Sequence, residues 1–191
     1  MMIGDRFLFV FGPNHHRKDR LAVLRVGGHV EAGETPWECA VREVREETGL
    51  AHIQRVDAAE TLKWQDGSLQ PFPWEGQEPR PMLVLPRSGG AACNVMFLAR
   101  ARGVPFPSGE VNGLLLLSRY EMQEILRRPT TLQEFVDGGG WASMRSPYPR
   151  RMILEPLLQC RLLASLLEGN RLKGVIDDAV SGFRPGPAAG A

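Results

Sequence analysis

Sulfur is scarce and scattered in this chain of 191 residues: Cys39, Cys93 and Cys160 stand far apart and are odd in number. Structural zinc sites of the cysteine type need closely spaced pairs, so none is expected. The pattern fits reduced thiols of a cytoplasmic protein better than a disulfide framework. The sequence also lacks an apolar run of about 18 residues, so it offers no candidate transmembrane helix. Asp5 and Arg6 interrupt the start, where a secretory signal would need an apolar stretch, and a cytoplasmic location is therefore expected. Net charge is only +1, too small an excess for a protein that coats a polyanion, which argues against nucleic acid as the main partner. Internal repeats are absent as well.

What the chain does have is a concentration of one charge. Residues 28–50 read GHVEAGETPWECAVREVREETGL, with six glutamates against Arg42 and Arg45, a local balance of −4 in a nearly neutral protein. The segment also carries a set of agreeing helix signals. Thr35 suits the N-cap, Pro36 the first helical position, and Glu38 completes a T-x-x-E capping box. Gly49 stands where a left-handed residue would end the helix. Trp37, Ala40, Val41, Val44 and Thr48 recur at helical spacing and form the stripe expected to be buried. Glu43, Glu46 and Glu47 fall off that stripe and stack three and four residues apart. Carboxylates that close repel one another unless a cation lies among them, and hard oxygen ligands favour Mg²⁺ or Mn²⁺. Gly27, Gly28 and Gly33 bracket the loop before the helix, where the backbone must pass close to something or take positive φ.

A lone E-x-x-E-E on a helix is usually a solvated face. Here the whole string satisfies G-x5-E-x7-R-E-U-x-E-E-x-G-U, with U aliphatic, at Gly28, Glu34, Arg42, Glu43, Val44, Glu46, Glu47, Gly49 and Leu50. It resembles the signature of the Nudix hydrolases, enzymes that cleave a pyrophosphate linkage in a nucleoside diphosphate joined to another moiety. The resemblance implies an α/β (α+β) fold with a mixed β-sheet sandwiched between helices and the box forming a loop–helix–loop. It implies Glu43, Glu46 and Glu47 as metal ligands, joined by the backbone carbonyl near Gly28, and Glu34 as a brace for the loop. Arg42 would orient the carboxylates, and Glu43 or Glu46 would be the base. The implied cofactor is Mg²⁺, with Mn²⁺ as a substitute. Glu110, just before an apolar run, stands where the family often supplies a further carboxylate. Its plain alternative is a loop residue beside Ser108 and Gly109.

Two departures concern architecture. RFLFVF follows Met1 almost at once, so a strand that usually precedes it is not found, and Val26 stands where a proline often precedes the paired glycines. The expected Nudix domain covers 1–172, followed by a Gly/Pro/Ala-rich tail at 181–191 expected to be disordered. Strands are expected at 6–11, 20–26, 53–63, 92–101 and 111–118, and helices at 36–48, 119–127, 130–136 and 148–168. The last of these reads as core or as a dimer seam, and a homodimer accords with the habit of the family. Residues 64–91 are rich in Pro and Gly and are expected to form an irregular insertion. Trp64, Phe72 and Trp74 within it offer faces on which a nucleobase could stack, or else they cover the sheet edge. SLQPFPW loosely resembles an element of NADH pyrophosphatases, but residue order and position differ.

The expected substrate is a small nucleotide. Two other readings stay open: a Nudix-like module that binds a nucleotide metabolite without cleaving it, and a pyrophosphohydrolase acting on RNA 5′ ends. The second needs a basic path, for which Arg145, Arg150 and Arg151 are candidates beside the His15–Arg20 hairpin tip.

Overall fold

The computed structural model describes residues 1–76, 79–87 and 93–169; the tail at 181–191 lies outside them. The main sheet is built around β2 (Arg6–Asn14) and β10 (Gly113–Leu117), paired antiparallel with Phe9 opposite Leu115 and Leu8 opposite Leu116. Both strands read as continuous apolar runs because both faces are covered. Alternation divides them. Phe7, Phe9, Phe11, Leu115 and Leu117 face one cluster, while Leu8, Leu114 and Leu116 face another.

Helix α1 (Pro36–Thr48) contributes Val44 to the second cluster. Helices α2 (Arg119–Arg127) and α4 (Leu158–Glu168) pack into the first, through Met122, Ile125, Cys160, Leu162, Leu163, Leu166 and Leu167. The mixed sheet is thus sandwiched between helices. β11 (Trp141–Met144) borders β10, and β3 (Arg17–Arg25) pairs antiparallel with β2. α3 (Leu132–Asp137) lies between α2 and β11 in the chain. Among the described residues no helix is long and apolar enough to cross a membrane.

Several sequence expectations need correction. A two-residue strand β1 (Met2–Ile3) does precede β2, joining it to β9 (Leu98–Ala101), so the place expected to be vacant is filled. The stretch 53–63 is two strands, β4 (Ile53–Val56) on β9 and β5 (Leu62–Gln65) in a second sheet. The stretch 92–101 likewise breaks at Phe97, with β8 (Cys93–Met96) in the second sheet and Ala92 outside the described residues. Within 64–91 the described residues include three strand segments, while residues 72–76 and 79–82 follow the expected irregular course. β5 turns into β6 (Ser68–Pro71) through Asp66 and Gly67 at φ 51° and 80°, the geometry of a two-residue hairpin. β7 (Leu83–Pro86) runs parallel to β5 and antiparallel to β8.

The expected helix 148–168 begins only at Leu158. Before it, β12 (Ile153–Pro156) pairs parallel with β3, and Pro156 disfavours helical backbone at the residue before it. The buried leucines of α4 lie in the core of this one chain.

Candidate active site

The helix start expected from Thr35 is present in full: Glu38 N–H donates to Thr35 Oγ1 at 3.2 Å, and Thr35 N–H donates to the Glu38 carboxylate at 2.9 Å. Gly49 closes the helix at φ 68°. The far end is capped from a distance. Phe106 N–H donates to Thr48 O and Ser108 N–H to Glu47 O, each at 3.0 Å, and Ser108 Oγ donates to Glu46 O. Carbonyls that a helix leaves without partners are thereby satisfied by the loop that carries Glu110. Arg145 fastens the same loop, its Nη1 donating to Gly109 O at 2.7 Å.

Arg42 organises the acidic face. Nε and Nη2 bind the two oxygens of Glu34 at 2.9 and 3.1 Å, while Nη1 donates to Glu43 Oε1 at 2.9 Å and Glu46 Oε2 at 3.0 Å. Nη2 also reaches His29 O at 3.1 Å. One planar fork thus ties the loop before α1 to two helical carboxylates, geometry that a lysine cannot reproduce. The bonds from Arg42 hold the Glu34 carboxyl below its usual range, and the same bonds raise the guanidinium above its own.

Glu47 is held differently. It is half-buried, and Gly27 N–H donates to its Oε2 at 3.0 Å. Burial pushes its carboxyl up to about 7, with the negative charges of Glu43 and Glu110 adding to the rise and the Gly27 bond and Arg25 opposing it. Glu110 therefore shares the electrostatic neighbourhood of the helix carboxylates. Gly28 passes so close to Glu43 that a Cβ on it would overlap that carboxylate. Gly27, at φ 134°, leaves room for the Arg25 guanidinium in the same way.

Among the described residues, no three His, Cys, Asp or Glu side chains are grouped as a metal cage, and Glu43 and Glu46 are both turned to Arg42. The donor chemistry nonetheless suits a hard divalent cation: every candidate ligand is an oxygen, and the half-buried Glu47 lies in the field of two further carboxylates.

Two concavities flank α1. An apolar cleft of about 70 Å³ runs between the helix and the sheet, walled by Trp37, Val41, Val44, Val26 and Phe97, with Arg25 in its lining. This explains why Trp37, Ala40 and Val41, expected to be buried, are only partly so. An open groove of about 490 Å³ follows the outer side, from Glu31 to Arg45.

Trp64, Phe72 and Trp74 line neither. Trp64 packs on the main core, Phe72 lies 5.7 Å beneath Lys63 Nζ, and the half-buried Trp74 has its indole nitrogen buried beside Gly76. Of the basic candidates for a nucleic-acid path, Arg145 is spent on Gly109 O and Arg150 reaches Gln133 Oε1 at 3.4 Å. At the hairpin tip, Arg17 and Arg20 turn to Glu155 on β12, at 2.6 and 3.8 Å. Sequence reasoning missed Arg25, although a single arginine in the apolar run LAVLRVGG was a usable signal.

A mixed sheet between helices, with a glycine-bounded loop leading into a carboxylate-faced helix, defines a class. Residues 5–85 match the family model described as the NUDIX domain. A solved structure, described as that of a hydrolase of the NUDIX family from Clostridium perfringens, is similar to 64% of this chain and 78% of its own, with 17% identity and a TM-score of 0.43.

Proposed function

We propose that this chain is a Nudix hydrolase that depends on a divalent cation, Mg²⁺ with Mn²⁺ as substitute, and acts on a small nucleotide. Its substrate would be a nucleoside diphosphate joined to a second moiety, cleaved to a nucleoside monophosphate and a phosphorylated product. The observation that carries this reading is the carboxylate array of Glu43, Glu46 and Glu47, wired by Arg42 to Glu34 and pressed against the Gly27–Gly28 backbone.

Glu43, Glu46 and Glu47, with the Gly28 carbonyl, would hold the cation. Bound there, it would neutralise charge on the phosphate oxygens and acidify water. Arg42 holds Glu43 and Glu46 at similar distances from one guanidinium nitrogen, which restricts both carboxylates although Glu46 is exposed. Glu43 or Glu46 is the base that takes the proton of the attacking water, and Glu110, held by the Ser108 and Arg145 contacts, supplies a further carboxylate at the rim. Trp64, Phe72 and Trp74 remain candidates for stacking a base, though Trp64 packs on the core and the Trp74 indole nitrogen is buried.

The test is a panel of NADH, ADP-ribose, dinucleoside polyphosphates, nucleotide sugars and oxidised deoxynucleoside triphosphates, with products identified by mass spectrometry. Hydrolysis of at least one with Mg²⁺, and none in excess EDTA, is expected. Glu46→Gln should lower turnover by about three orders of magnitude in a folded protein, the scale of losing positioned acid–base and electrostatic groups. Undiminished turnover in EDTA, or near-normal turnover of a folded Glu46→Gln protein, would refute it.

A further inference from the structure

Arg25 ends the β3 run with a charge where the chain is otherwise apolar, and its guanidinium is not fully used. Nη1 donates to Val26 O at 3.1 Å, but Nε is buried and meets no hydrogen-bond partner. A buried donor left in this state costs free energy unless something arrives to accept from it. The guanidinium lies over Gly27, where a Cβ would overlap Nη1, and the Gly27 N–H holds Glu47. It is therefore one residue away from the carboxylate array. Arg25 also lines the apolar cleft walled in part by Trp37 and Phe97, whose rings meet edge-on with centroids 5.5 Å apart.

This positive fork stands at the meeting point of an acidic array and an apolar cleft, and the nearby Glu47 and Glu43 leave its Nε without a hydrogen-bond partner. It is well suited to an anion with several acceptor oxygens that is attached to a less polar group. We infer that Arg25 binds phosphate oxygens of the substrate's diphosphate from the cleft side, while the attached moiety enters the cleft beside Trp37. The inference rests on the diphosphate-hydrolase reading and adds a residue to it. Arg25 is then a substrate-binding residue that fixes which end of the diphosphate faces the carboxylates. The substrate class narrows to diphosphates whose second moiety has a flat or apolar face.

The test compares full-length wild-type, Arg25→Gln and Arg25→Lys proteins by calorimetry with α,β-methylene-ADP in saturating Mg²⁺, and by steady-state kinetics on whichever panel member is cleaved. Loss of a charged hydrogen-bonding partner should weaken binding and raise KM by about 10–100-fold, with a smaller change in kcat. Arg25→Lys, which keeps the charge without the fork, should be intermediate and serves as the readout if the glutamine variant does not fold. A Kd and KM within about twofold of wild type overturn the inference. So does an effect confined to the Mg²⁺ requirement, which would make Arg25 only a counter-charge for Glu47. Wild-type protein that binds neither the probe nor inorganic pyrophosphate overturns it too. Binding without cleavage of any panel member would sink the hydrolase reading instead, and Arg25 would still be judged by the calorimetry.

Discussion

Glu47 is expected to weaken the metal-free protein that carries it. Its carboxyl lies at about 7 against an ordinary 4.5, chiefly through burial. Folding therefore favours the protonated form. Below about pH 4.5 both the folded and the unfolded chain hold the proton, and nothing is lost. As pH rises to about 7 the unfolded chain gives up its proton first, so stability falls through that window and levels off above it. The difference of 2.5 units between those two values corresponds to about 3.4 kcal/mol at 1.36 kcal/mol per unit. Glu47 is only half-buried, and solvent screening reduces this to about 1.5–2 kcal/mol.

Glu47→Gln keeps an oxygen to accept from Gly27 N–H and removes the charge. In EDTA at pH 8 the variant should be more stable than wild type by about that amount, and at pH 4.5 the two should coincide. Urea melts at the two pH values measure it. Adding Mg²⁺ should stabilise wild type and leave the variant nearly unmoved, while turnover of the variant collapses. A variant less stable than wild type at pH 8, or a difference that does not change with pH, would refute the electrostatic account of this site.

Gly28→Ala should fold, because the Glu43 side chain can swing aside, yet its turnover should drop at least about tenfold as that carboxylate leaves its place; the melting temperature and kcat, measured together, separate the two effects. Arg42→Lys cannot make the paired bonds to Glu34 while also reaching Glu43 and Glu46, so kcat should fall about 10–100-fold with circular dichroism unchanged. Gly67→Ala, at φ 80° with open space around it, should cost about 1 kcal/mol in urea melts through backbone strain alone and leave kcat intact. A large activity loss in that last variant would mean that the second sheet bears directly on the chemistry.

What the sequence disclosed depended on how local the cause was. The bounds of α1 were readable to the residue because its start and end are set by Thr35, Glu38 and Gly49 within one segment, whereas only Val44 and Thr48 of the expected stripe are buried. The hairpin at Asp66–Gly67 was equally local, but the density of prolines around it read as irregular structure. The break at Phe97 was not local at all: Val95 pairs with Val84 and Ala99 with Arg55, and only the choice of partners divides the run. Pro156 marked the end of a strand that looked like the first turns of a helix. At the site, the carboxylates could be named from spacing. The capping of Glu46, Glu47 and Thr48 by residues 106–108, and the placement of Arg25 against Gly27, required the folded chain.

The borrowed cap on α1 also bears on where this protein can be cut. The NUDIX match ends at residue 85, yet the groups that satisfy the end of its helix come from Phe106 and Ser108. The strand beside β2 is β10, and the partner of β4 is β9, both later in the chain. A fragment stopping at residue 85 would carry every carboxylate of the box but lose β9, β10 and the loop that caps the end of α1. The recognisable portion is thus a signature without independence: a minimal catalytic unit, if one were expressed, has to run at least through β12 and α4.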